Sequence, residues 1–196
     1  MGLVKRSCSI ISCNKSRKVL YLSLVRSLFE HCSPIWRPTS TSQIIKFEKL
    51  QKRAIKWIFH ENYTRYTNTE YFRKLKYLNI LPIELKFQLN DMVTFHNIFY
   101  GHTVVKFPHF LVTQTDSRSE TYFQRQTRAY TDNDSLKIKC TISPKVNAFK
   151  NSFFYRSHIF WNTLPLEIRS ISNPESYKLK LEQHFWLIAE NNLPSE

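Results

Sequence analysis

Glycine occurs twice in this 196-residue chain, at Gly2 and Gly101. The ordinary share is about 7%. Folds that need many turns with positive φ, or a glycine-rich loop laid against a phosphate, are therefore disfavoured. With 42% apolar and 15% aromatic residues the chain is nonetheless globular in type, and it is long enough for one large domain or two small ones.

Apolar spacing then predicts helices. Over 16–31, Leu20, Leu24 and Leu28 recur at four while Tyr21, Val25 and Phe29 fill the neighbouring row, so this helix should be largely buried. Arg26 and Glu30 are placed to pair. Pro34 and Pro38 mark a connector, with Trp36 as a packed anchor, before a helix over 42–60 that Ser40 or Thr41 can cap. A short helix follows over 69–77, with Tyr71, Phe72 and Leu75 inward. Another runs from Pro82 to about Tyr100 on Leu85, Leu89, Met92, His96 and Phe99, and Gly101 stops it. Periodicity vanishes over 102–120, which reads as a loop. Two short strands, over 121–130 and 135–142, would form a hairpin turning at Thr131–Asp134. Aromatic-rich residues 147–162 form a helix ended by Leu164-Pro165. The last helix starts at Asn173-Pro174 or a Ser172/Glu175 capping pair and buries Tyr177, Leu181, Phe185 and Ile188. The expected fold class is mainly α: an irregular helical domain of about six helices with one small β-hairpin.

The helix over 42–60, SQIIKFEKLQKRAIKWIFH, carries the most distinctive chemistry. Ile44, Phe47, Leu50, Ala54 and Trp57/Ile58 mark one face, and Lys46, Lys49, Lys52, Arg53 and Lys56 occupy the remainder, with only Glu48 against them. The whole chain has a net charge of +14, unevenly spread: residues 1–60 hold twelve Lys/Arg against two Glu. A basic half suggests a polyanionic partner, nucleic acid before anionic membrane. Arg17 and Lys18 add cations near a helix start, where the dipole disfavours them unless an anion docks. Tyr63, Tyr66 and Trp36 supply nearby aromatics. A solvated, merely solubilising lysine face is the alternative reading.

Other chemistry is thin. Asp132 and Asp134 are the close acidic pair, in a predicted turn where Asp is common for backbone reasons. His96, His102 and His109 have no ligand spacing, and His96 reads as a hydrogen-bonded core residue. Cys8, Cys13, Cys32 and Cys140 lack paired spacing, so reduced thiols are expected. No catalytic, metal or cofactor site, and no small-molecule substrate, is assigned. No apolar run reaches about 18 residues and no signal peptide is legible, which points to a nuclear or cytoplasmic, not secreted, protein.

Four blocks carry a resemblance. Residues 20–38, LYLSLVRSLFEHCSPIWRP, resemble the LYxxLVRPxLEYxSxVWxP stretch of non-LTR, LINE-type (jockey/CR1-like) retrotransposon polyproteins. Residues 47–54, FEKLQKRA, resemble its LEKVQRRA; residues 78–84, LNILPIE, its LGLLPLE; and NSFFYR at 151–156 with WNTLP at 161–165 its NSFFxRxxxxWNxLP. Their order is the family's, and they cover nearly the whole chain. Ser27 stands where the family usually has Pro, a change that lengthens the helix. The resemblance implies the reverse-transcriptase thumb and the region after the polymerase palm. It divides the chain into a basic N-terminus that reads as truncated (1–15), a thumb-like helical region (16–101), a loop (102–120), and a hairpin with C-terminal helices (121–190). The family's FADD/YADD box and terminal zinc knuckle have no counterpart here, so no enzyme activity is expected of this chain. The expected function is sequence-independent binding of a template–primer-like RNA/DNA duplex through Lys46, Lys49, Lys52, Arg53 and Lys56, with Arg17 and Lys18 secondary. The alternative is a protein–protein packing module, prone to self-association, that binds no nucleic acid.

Overall fold

Tyr21, Val25 and Phe29 form one row along a helical surface, and this row is buried, whereas Leu24 and Leu28 in the next row are 51% and 76% exposed. The computed structural model that shows this describes residues 1–61, 65–113 and 135–191. The expectation of a largely buried helix over 16–31 is therefore corrected: it has one inner face. A sequence apolar on several sides does not say which row meets the core; the partners decide that.

The protein is mainly α. A short α1 (Gly2–Ser7) precedes α2 (Asn14–Tyr21), which runs through a π-helical turn, Leu22–Arg26, into α3 (Ser27–Glu30). Ser23 Oγ donates to the Val19 carbonyl at 2.8 Å and Ser27 Oγ to that of Ser23. Such back-bonding competes with the helical ladder and sits where its register widens. A single turn, α4 (Ser33–Trp36), follows, and then α5 (Thr41–Ile58), α6 (Asn68–Leu78) and α7 (Ile83–Phe99). A capping box of Thr67 and Glu70 starts α6, Asn79 ends it with φ 49°, and Gly101 follows α7 with φ 73°.

Strand β1 (Leu111–Thr113) pairs antiparallel with β2 (Ile138–Cys140), Val112 opposite Lys139. The second expected strand is thus present, but its partner comes from the segment read as a loop. The expected strand at 121–130, the Thr131–Asp134 turn with Asp132 and Asp134, and Tyr63 lie outside the described residues. The expected helix over 147–162 is broken at Asn151–Ser152 into α8 (Asn147–Lys150) and α9 (Phe153–Thr163); α10 (Leu166–Arg169) and α11 (Pro174–Asn191) complete the chain. Asn173 Oδ1 caps α11, accepting from the amides of Glu175 and Ser176 at 3.0 Å each.

The chain forms two compact units, Met1–Asn90 with Glu182–Glu196, and Asp91–Leu181. The first is built on Tyr21, Ile55, Ile58, Leu75, Ile83 and Phe87, each 1% exposed or less. In the second, Phe95 meets Trp161 with ring centroids 5.6 Å apart, and the His96 ring stacks on Tyr177 at 3.9 Å and 16°. His96 Nε2 lies 2.7 Å from the Ile171 carbonyl oxygen, making it the hydrogen-bonded core residue the sequence suggested. The His102 ring is brought within 6.0 Å of it, although nothing in the sequence spacing joins the two.

A buried polar lattice that turns a helix outward

What aims the basic face of α5 away from the core is a set of hydrogen bonds on its inner face. Gln51 is fully buried; its Oε1 accepts from the Tyr21 hydroxyl at 3.1 Å and its Nε2 donates to the Leu81 carbonyl at 3.2 Å. The same carbonyl accepts from Arg26 NH2 at 3.1 Å, and Arg26 pairs with Glu30 one turn on. Glu48 accepts from the Tyr71 hydroxyl at 2.5 Å and from the Ile83 amide at 2.9 Å, so it caps the start of α7. Buried polar groups demand partners, and these particular partners lie on α2, on α6, at the start of α7 and in the connection between α6 and α7. They leave α5 one way to face.

The one acid of α5 is consequently spent inside the fold, and Lys46, Lys49 and Arg53 stand exposed along the outside. Lys52 and Lys56 are half-buried and lean onto rings: Lys52 Nζ is 4.9 Å from the Tyr71 centroid and 3.4 Å from Asn68 Oδ1, and Lys56 Nζ is 5.3 Å from the Tyr66 centroid. Among the described residues, none of these five cations forms an ion pair. Like charge crowds at one end of the row. Burial, followed by the nearby charges of Arg53 and Arg17, holds the Lys5 ammonium below its usual pKa.

Arg17 is placed differently from the sequence expectation. It is buried, donates from NH1 to the Trp57 carbonyl at 2.5 Å and from Nε to that of Ile11 at 2.6 Å, and lies 5.0 Å from the Trp57 ring. The guanidinium therefore serves the carbonyl end of α5, where the helix dipole favours a cation, and is closed to an outside anion. Lys18 is half-exposed on α2. Of the aromatics expected nearby, Tyr66 is within reach of Lys56, while Trp36 packs against Phe47 and Phe87 at 5.9 and 5.8 Å.

Beyond this helix the described residues hold no group of three or more His, Cys, Asp or Glu placed to share a metal, and all four cysteines are free thiols. None of their helices is long and apolar enough to cross a membrane. Fold and surface together define a mainly α protein with an unneutralised basic ridge on one helix. No family model, curated protein or solved structure matches this chain.

Proposed function

We propose that the α5 ridge holds the phosphate backbone of a nucleic-acid duplex without reading its sequence, in the manner of a reverse-transcriptase thumb of the LINE type. The observation that carries this reading is the inward turn of Glu48, which leaves Lys46, Lys49 and Arg53 exposed without a carboxylate partner among the described residues. A row of mostly lysine point charges suits phosphate contact better than base-edge recognition.

The resembling blocks support the family reading in a second way. Tyr21 and Arg26 from the first block, Glu48 and Gln51 from the second, and Leu81 and Ile83 from the third are the residues that bond to one another inside the first unit. In the second unit the fourth block does comparable work. Trp161 Nε1 donates to the Leu136 carbonyl at 2.9 Å, and Asn162 both accepts from the Ile138 amide at 3.0 Å and donates to its carbonyl at 2.8 Å. By this reading the protein acts in the nucleus or cytoplasm as a binding element, not as a polymerase.

The deciding experiment is duplex retention against salt. If three cations each neutralise a phosphate, log K falls against log salt with a slope of roughly −2.7 on B-form DNA. Reversing Lys46, Lys49 and Arg53 to Glu, in a protein whose helical circular dichroism is unchanged, should abolish retention. Unchanged affinity in that variant ends the proposal.

A packing-module reading has its own observation. Val19, Leu24, Leu28 and Ile35 are 61%, 51%, 76% and 83% exposed in neighbouring elements of the first unit. Concentration-dependent sedimentation without affinity for nucleic acid would favour it.

A further inference from the structure

Tyr77, in the last turn of α6, is 79% exposed, and its ring lies 6.0 Å from that of Phe59 just past the end of α5. With Glu70, Arg73 and Lys74 these two rings line an open pocket of about 410 Å³. The pocket is connected to the basic helix by alternating charge and ring. Lys56 lies over Tyr66 at 5.3 Å; Lys74 lies 4.5 Å from Tyr66 and 4.6 Å from Phe59. Phe59 then meets Tyr77.

We infer that this pocket takes an unpaired nucleobase, stacked against Tyr77 and Phe59, from a single-stranded segment of the nucleic acid whose phosphates lie along α5. Cations interleaved with aromatic faces are what a single strand needs, one to hold the backbone and the other to stack its bases. The pocket itself suits a flat uncharged ring better than a phosphate. Its two cations are already engaged, Lys74 by Glu61 and Arg73 by a contact of its own. Its acid, Glu70, is held in place by the Thr67 amide at 2.9 Å and repels an anion. Along α5, by contrast, none of the five cations forms an ion pair among the described residues. The inference rests on the nucleic-acid reading above for the presence of a strand, but it concerns a different surface and a different contact.

The test uses the full chain with three DNAs: a blunt duplex, the same duplex with a short 3′ overhang containing 2-aminopurine, and the overhang strand alone. The unaltered protein should bind the overhang duplex more tightly than the blunt one and quench the 2-aminopurine. Tyr77→Ala should weaken overhang binding by about tenfold and abolish the quench, and should leave the blunt duplex unaffected. Tyr77→Phe, which keeps the ring, should behave as the unaltered protein. An overhang that gives no advantage, a probe base that stays fluorescent, or a Tyr77→Ala loss that is equal on both duplexes overturns the stacking site while leaving the ridge. Tyr77-dependent binding of the single strand without any binding of blunt duplex would do the reverse. Failure to bind all three DNAs overturns both.

Discussion

The Glu48 carboxylate accepts the Tyr71 hydroxyl at 2.5 Å from within a helix otherwise lined with cations. Burial first, and then Glu48, pushes the Tyr71 hydroxyl well above its usual pKa, so it stays a donor at any ordinary pH. With the other oxygen on the Ile83 amide, Glu48 joins α5 to both helices that follow it. Glu48→Ala strands a hydroxyl and an amide. It should lower unfolding free energy by about 2 kcal/mol in denaturant titration, with Glu48→Gln losing less because its amide oxygen still accepts.

Arg17 and Lys49 should separate stability from binding. Arg17→Met removes two charge-assisted bonds to carbonyls, which should cost about 2 kcal/mol of stability and leave the salt slope of duplex binding alone. Lys49→Glu should leave the denaturation midpoint nearly unchanged and make that slope shallower by about one. Finding that Arg17→Met changes the slope as much as Lys49→Glu would contradict the internal role assigned to Arg17.

Asp91 and Arg156 should show the asymmetry of a buried ion pair. Asp91 is 2% exposed, and the guanidinium grips it at 2.9 and 3.0 Å through Nε and NH2. Arg156→Met leaves the carboxylate buried without that partner and should destabilise by about 3 kcal/mol. Adding Asp91→Asn to that variant should recover part of the loss. A double variant no more stable than Arg156→Met would argue against a charge penalty.

Acid should weaken the second unit. Burial holds the His96 and His158 imidazoles below the ordinary value of 6.5. Their folded-state pKa values are therefore lower than their unfolded ones, and the unfolded chain binds more protons in between. The stabilisation is fully present above about pH 6.5 and is lost as pH falls below it, down to the lowered folded values. Unfolding free energy measured between about pH 5 and 7 should rise with pH. His96→Gln, whose amide can still donate to the Ile171 carbonyl, should flatten that rise.

Leu28→Lys places a charge on the most exposed apolar residue of the α2–α3 face. If that face drives self-association, sedimentation velocity should show the variant shifted toward monomer at a concentration where the unaltered chain associates. Its thermal stability should be unchanged, because the native side chain is already 76% exposed.

Much of the fold is legible along the chain because helix periodicity and its punctuation are local. Steps of three and four located each long helix, Gly101 ended one where a left-handed residue was needed, and Asn173 capped another. The Thr67/Glu70 capping box, with Thr and Glu three residues apart, is equally local. Strand pairing was not, since β1 and β2 are separated by 24 residues and two three-residue strands leave almost no alternation to read. Nor was the Asn151–Ser152 break, where Ser152 Oγ bonds back to the Phe149 carbonyl at 2.6 Å.

The same divide runs through the candidate site. That α5 has one apolar side and five cations follows from the order of its residues alone, since side-chain direction around a helix is set by 3.6 residues per turn. Which cations reach the surface does not follow. Arg17 lies inside because a carbonyl end formed by residues forty positions away meets it there, and Glu48 turns inward because Tyr71 and the Ile83 amide wait for it. Helical register is written in neighbouring residues; the destination of a charged side chain depends on which distant dipoles and unpaired donors the completed packing brings beside it.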